Sequence, residues 1–247
     1  MARPLMILLR GAILVYLGVC AALFFLQRSY LYYPQPATLR SDVTFALPAH
    51  VLVSTRPMDG PGALLYFGGN SEDVSYNLMP FANAFPDRAI YLLHYRGFGG
   101  SSGKPSEAAL FEDGLTLFDE VRKTHPRIEV VGRSLGSGVA VYVASLRPAA
   151  RLVLVTPYDS VEELAARQFP YVPVKWMLLD RFQSWKYAPH VTSPTLIIAA
   201  EHDQIVPRES TARLLSRFRP GIASFTTLAG TDHNSINDHP DFLHLLR

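Results

Sequence analysis

Gly132, Arg133, Ser134, Leu135 and Gly136 form the stretch that most constrains what this chain can fold into. It stands between an apolar run at 128–131, which reads as a strand, and a small-residue run at 137–144, which reads as a helix. A backbone that passes from strand to helix in so few residues must turn sharply, and the two glycines remove Cβ atoms that would collide in the turn. The Ser134 hydroxyl is then left at the carboxyl edge of a parallel sheet, the geometry of a nucleophile elbow. The five-residue pattern alone is weak. Its weight comes from the strand before it and the helix after it, and the plain alternative is a glycine-rich turn with an idle serine.

The rest of the chain supplies the sheet that such an elbow needs. Runs at 63–67, 89–94, 128–131, 152–156, 195–200 and 224–228 are short, apolar and rich in β-branched or aromatic residues, as strands covered on both faces are. Two stretches before them, 43–47 and 51–54, read as antiparallel strands. Between the runs, 106–123 has Ala108, Phe111, Leu115 and Phe118 at spacings of three or four, with Glu112, Asp113, Asp119 and Glu120 off that stripe. Ser106 is placed to cap this helix, and Ser160 with Glu163 has the spacing of a capping box opening another. Alternation of strand and helix predicts an α/β domain with a mostly parallel sheet and helices on both faces.

A chain of 247 residues, 49% of them hydrophobic, can bury one substantial core. Its net charge of +2 and the absence of a Lys/Arg block point away from nucleic acid as a partner. Cys20 is the only cysteine, which excludes an intrachain disulfide and a cysteine-based zinc site. Residues 11–26 are an unbroken apolar run, extended on the N-side across Arg10. This reads as a single membrane span, 1–28, followed by the catalytic domain, 29–247, with Tyr30, Tyr32 and Tyr33 as interfacial aromatics. A cleaved signal peptide and a buried helix are the alternatives. Arg3 and Arg10 before the run and Arg28 and Arg40 after it give only a weak charge bias, and the short N-terminus favours a domain on the outer or lumenal side.

A serine hydroxyl is a poor nucleophile at neutral pH and needs a base within hydrogen-bond reach, with a carboxylate to hold that base. Asp203, just past the 195–200 strand, and His233, just past the 224–228 strand, lie at the sheet edge where ligands gather. With Ser134 they give the chain order Ser, Asp, His expected beside a nucleophile elbow. Asp159 is the substitute acid, and His202 or His239 the substitute base. His94 reads as packing or substrate lining. Oxyanion donors are expected from the backbone N–H of Leu135 and from the Phe67-Gly68-Gly69-Asn70 turn, through Asn70 or failing that Gly69. No histidine or carboxylate pair has a helical ligand spacing, and neither metal nor cofactor is implied.

Residues 95–106, Tyr-Arg-Gly-Phe-Gly-Gly-Ser-Ser-Gly-Lys-Pro-Ser, closely resemble a signature of one branch of the α/β-hydrolase fold. That branch comprises membrane-associated serine hydrolases related to protein depalmitoylases and to lysophospholipid and monoacylglycerol lipases. The resemblance extends from about Gln27 onward through the loop at Gly68, the Gly-Arg-Ser-Leu-Gly elbow, Glu201 to Pro207, and Asp232, His233 and Asn234. It implies Ser134 as nucleophile, Asp203 as acid, His233 as base, and Asn70 and Leu135 as oxyanion donors. Two positions depart from the common pattern: Gly68 stands where many relatives have His, and Asp232 where a small residue often precedes the catalytic His. The first leaves the bracing of the oxyanion loop open, and the second alters the charge around the base. Only 161–190 occupies the place where larger relatives insert a lid domain, so the lid is minimal and the site little covered.

Together these readings predict a membrane-anchored serine hydrolase cleaving acyl esters or thioesters through an acyl-serine intermediate, acting on a small-molecule or lipid-like acyl substrate. A serine peptidase or amidase, and a catalytically silent binding module of the same fold, are the alternatives.

Overall fold

The computed structural model describes residues 2–36, 38 and 44–247. It opens on helix α1 (Ala2–Leu31), which runs past Arg28 because no glycine or proline interrupts its last turn before Pro34. Within it, Arg3–Leu31 is apolar and long enough to cross a membrane and is almost wholly unburied by the rest of the protein. Of the expected interfacial aromatics, Tyr30 and Tyr33 are exposed, whereas Tyr32 is buried in the domain core. That corrects the sequence reading of Tyr32: the chain has already turned onto the domain there. Arg40 and Val43 lie outside the described residues.

Eight strands form one sheet: β1 (Thr44–Leu47), β2 (Val51–Arg56), β3 (Gly62–Phe67), β4 (Ala89–Leu93), β5 (Arg127–Arg133), β6 (Arg151–Val155), β7 (Thr195–Ala200) and β8 (Ala223–Leu228). Their order is β1-β2-β4-β3-β5-β6-β7-β8. β1 and β2 enter antiparallel, and every pairing from β4 onward is parallel. The strands are near-continuous apolar runs because helices cover both faces. Alternation splits their side chains: Leu65, Phe67, Val130 and Leu152 join one core, and Leu64, Tyr66, Val131 and Val153 join the other. On the first face lie α3 (Glu107–Arg122) and α4 (Leu135–Leu146), and on the second α2 (Leu78–Ala84) and α9 (Phe242–Leu246). The segment after β6 holds three short helices, α5 (Val161–Gln168), α6 (Val174–Met177) and α7 (Ser184–Tyr187), and α8 (Arg208–Leu215) follows β7.

Ser106 caps α3 as expected, accepting the Ala109 amide at 3.2 Å. Its buried stripe, however, is Leu110, Phe111, Gly114, Leu117, Phe118 and Val121; Ala108 is exposed and Leu115 only half-buried. Asp113, assigned to the polar face, is buried. A polar residue enters this stripe because Arg96 receives it, with guanidinium nitrogens 2.7 and 2.9 Å from its carboxylate. The Ser160 capping box is formed only in half: Ser160 Oγ accepts the Glu163 amide, but the Ser160 amide donates to Asp159 at 2.7 Å instead of to Glu163.

The signature loop after β4 wraps His94. Gly99 has φ +57°, and a Cβ there would overlap the His94 ring, so only glycine closes the loop at this point. His94 is buried with Nε2 2.7 Å from the Ser54 hydroxyl. Burial pushes its imidazole below the ordinary value, against a weaker upward pull from Asp73. The unfolded chain therefore takes up this proton more readily than the folded one. The stability that depends on neutral His94 is fully present above the unfolded pKa and is lost as pH falls through the folded one. Urea midpoints should accordingly decline between about pH 7 and about pH 5, and His94→Gln should flatten that part of the profile; superimposable profiles would remove His94 as the cause.

Candidate active site

Register sets the site. Phe67 at the end of β3 lies beside Gly132 near the end of β5, so the loops leaving these two strands emerge side by side. Ala200 ends β7 opposite Leu228, which ends β8, and the loops carrying Asp203 and His233 start from that pair. Ser134 sits between β5 and α4 with φ 49° and ψ −119°, a conformation that a non-glycine residue adopts only under constraint. The Ser134 amide donates to the Val155 carbonyl on β6 at 2.9 Å. Gly136 is forced by close approach: a Cβ there would strike the Phe67 carbonyl.

The three residues expected to act together are brought together. His233 Nε2 is 2.8 Å from Ser134 Oγ, and His233 Nδ1 is 2.8 and 3.0 Å from the two Asp203 oxygens. A carboxylate only accepts, so Nδ1 carries the proton and Nε2 presents its lone pair to the serine hydroxyl. Asp203 Oδ1 also accepts the amides of Ile205 and Val206 at 2.9 and 2.7 Å. The same side chain thus folds its own loop and orients the imidazole. It does not cap α8, whose N-cap position is Pro207 without a side-chain bond.

The substitutes lie elsewhere. Asp159 is engaged with Ser210 at 2.8 Å and Arg213 at 2.6 Å, which ties the start of the 161–190 segment to α8. His202 pairs with Glu201, and His239 accepts the Asp241 amide. Asp232 faces solvent and accepts the Ser235 and Asn234 amides, which hold its carboxyl below the ordinary range and turn the chain that presents His233. Among the described residues, no group of three His, Cys, Asp or Glu side chains is arranged to hold a metal.

The loop at Gly68 is braced by a residue that the sequence reading passed over. Glu72 receives four donors: the Gly69 amide at 2.7 Å, Arg133 Nη1 at 3.1 Å, the Tyr66 hydroxyl at 2.7 Å and Asn77 Nδ2 at 2.6 Å. Tyr95 adds a bond from its hydroxyl to the Gly68 carbonyl at 2.9 Å. Burial pushes both tyrosines well above the ordinary phenol range, so both stay neutral donors. Burial alone would lower the Arg133 pKa, but the Glu72 carboxylate, with smaller contributions from Tyr66 and Asp203, turns the balance upward and keeps the guanidinium charged. Arg133 Nη2 reaches on to the His233 carbonyl at 3.1 Å. The Gly69 amide, the alternative oxyanion donor of this loop, is thus committed to Glu72. Asn70 is fixed in turn by the chain leaving α1: its side chain donates to the Leu31 carbonyl at 3.0 Å, and its carbonyl accepts the Tyr33 amide at 2.9 Å.

The eight-stranded sheet, the strained serine between β5 and α4, and the Ser, Asp, His order define the α/β-hydrolase class. Rv2307c of Mycobacterium tuberculosis, described as uncharacterized, is 32% identical over 90% of this chain and 85% of its own. The chain belongs to the same family as Rv2307c, and its fold is that of the α/β-hydrolases. Lysophosphatidylserine lipase ABHD12 of Macaca fascicularis is 29% identical over 64% of this chain, a match spanning 47% of that protein. A solved monoacylglycerol lipase of Paleococcus ferrophilus superposes with a TM-score of 0.57 at 16% identity, covering 80% of this chain and 95% of the other. No protein-family profile matches the chain.

Glu72→Ala would leave the Arg133 guanidinium, only 11% exposed, without its carboxylate, and removing one partner of a fully buried pair costs about 3–5 kcal/mol. Chemical denaturation in detergent should register a loss of that order, and a change within about 0.5 kcal/mol would show that the pair is incidental.

Proposed function

We propose that this chain is a membrane-anchored serine hydrolase that cleaves acyl esters or thioesters through a covalent acyl-Ser134 intermediate. The observation that carries the reading is the unbroken line of bonds from Asp203 through His233 to Ser134 Oγ, each link at 2.8 Å by its shorter contact. Ser134 Oγ attacks the acyl carbonyl carbon while His233 Nε2 takes its proton. That proton passes to the departing alkoxide or thiolate as the carbon–heteroatom bond breaks. Water then attacks the acyl-serine, giving a proton to His233, and Ser134 recovers it as the free acid leaves.

The negative oxygen of each tetrahedral intermediate is received by two backbone amides, those of Leu135 and Asn70. Leu135 is the first residue of α4, where no acceptor within the helix claims its N–H and the helix dipole favours negative charge. Lipase relatives support an acyl substrate rather than a peptide. The α1 helix is the anchor, with residues 161–190 as a short lid. The catalytic domain stands on the outer, periplasmic or lumenal, side.

Fluorophosphonate labelling tests the nucleophile: the wild-type chain should label, and Ser134→Ala should not. Ser134→Ala and His233→Ala should each abolish nearly all ester hydrolysis, with the double variant little worse than either. Asp203→Asn should fold normally yet lose about 10⁴ in turnover, because an amide favours the wrong imidazole tautomer; if Asp159→Asn were the damaging change, the acid would be misassigned. A C-terminal reporter fusion checks the side of the membrane, and activity of a cytoplasm-only reporter would reverse it.

A further inference from the structure

An apolar groove of about 380 Å³ runs between α1 and the 161–190 segment. Leu23 and Phe24 form one wall, Leu164 and Met177 the other. Its volume is within the range of small-molecule sites, about 300–1,000 Å³. Leu31 and Ile205 also line it. The Leu31 carbonyl holds the Asn70 side chain, and Ile205 donates its amide to Asp203, so the groove meets both the oxyanion loop and the turn of the acid.

Its depth is set by bonds between the lid and the helix. Arg28 is 2.9 Å from Asp180, and Gln27 accepts the Leu179 amide at 2.7 Å. Further down the helix, the Tyr16 hydroxyl donates to the Tyr171 carbonyl at 2.9 Å. At about 1.5 Å per residue, Tyr16 lies roughly 22 Å along the axis from Leu31, inside the apolar run that reads as the membrane span. The lid therefore descends along the anchor to bilayer depth. It does so with Tyr171 and Trp176 each 88% exposed, which is costly in water and favourable in lipid.

We propose that this groove, built jointly by the anchor and the lid, is an acyl-chain site that opens sideways to the bilayer and admits one chain of a membrane-resident acyl lipid, with the scissile carbonyl presented at Ser134. The inference rests on the hydrolase reading above and adds to it the place, direction of access and chemistry of the chain. The membrane helix is then part of the substrate site, and Leu164 with Leu23 sets how much chain can be accommodated.

The test uses the full chain in detergent–phospholipid micelles. Leu164→Trp fills the groove from the lid side and Leu23→Trp from the helix side, where a lipid-facing wall leaves folding least at risk; fluorophosphonate labelling of Ser134 reports that each variant is folded. The ratio of kcat/KM for p-nitrophenyl palmitate to that for p-nitrophenyl acetate should fall about tenfold or more. An unchanged ratio in a labelled variant would overturn the proposal. A second arm does not need turnover: Ser134→Ala in phosphatidylcholine vesicles carrying a diazirine at the acyl terminus should crosslink at 23–31 and 161–178, and Leu164→Trp should remove those crosslinks. Crosslinks confined to the outer face of α1, or groove-filling variants that instead disrupt a dimer, would overturn the groove as an acyl site. Crosslinks in the groove without any ester hydrolysis would sink the hydrolase reading and leave the groove standing.

Discussion

The backbone of Ser134 is held where a side-chain-bearing residue rarely rests, at φ 49° and ψ −119°, and much of the molecule is arranged to hold it there. A residue in such a region costs of order 1–3 kcal/mol, so it persists only where its surroundings leave no other path. Three constraints supply that: the Ser134 amide bonds to β6, α4 begins at the next residue, and Gly136 lets the first turn of that helix rest against the Phe67 carbonyl. Any side chain at 136 would push the helix off the end of β3 and relax the turn. The parallel sheet is thus the rigid body against which a strained hydroxyl is aimed.

Arg133 extends this constraint to the neighbouring loops. Its guanidinium bonds to Glu72, which holds the Gly69 amide, and to the carbonyl of His233. The elbow, the glycine loop and the loop of the imidazole are therefore linked through the residue immediately before Ser134. A largely buried ion pair is weak evidence for stability in itself, and Arg133 Nε is left without a partner, but the bonds of its two terminal nitrogens fix the relative position of the loops.

The fold was legible because its signals are local and repeat. Apolar runs bounded by turns marked the strands to within two residues, and Ser106 marked the start of α3. The meeting of Ser134, Asp203 and His233 was legible because each follows the carboxyl end of a strand of the parallel sheet. What the sequence hid was pairing across distance. Asp113 looks like a solvent-facing residue until Arg96 is seen beside it, and Tyr32 looks like an interfacial aromatic until the chain turns beneath it. Glu72 carries no motif, and its importance arises from four converging donors, of which Gly69, Tyr66 and Asn77 are near in sequence and Arg133 lies 61 residues away. Likewise, nothing in the composition of an apolar segment tells that one face of it walls a groove.

The clamp on Asn70 has a consequence for how this coupling is inherited. Both bonds from the exit of α1 are made through main-chain atoms, the Leu31 carbonyl and the Tyr33 amide, whereas on the other side a particular side chain is required. Substitutions at 31 and 33 can therefore accumulate without severing the link, provided that the path of the chain is kept and proline does not replace Tyr33. An insertion or deletion between the helix and Pro34 would sever it at once. The tie between the N-terminal helix and the Asn70 loop is specified by a length of chain more than by a set of letters.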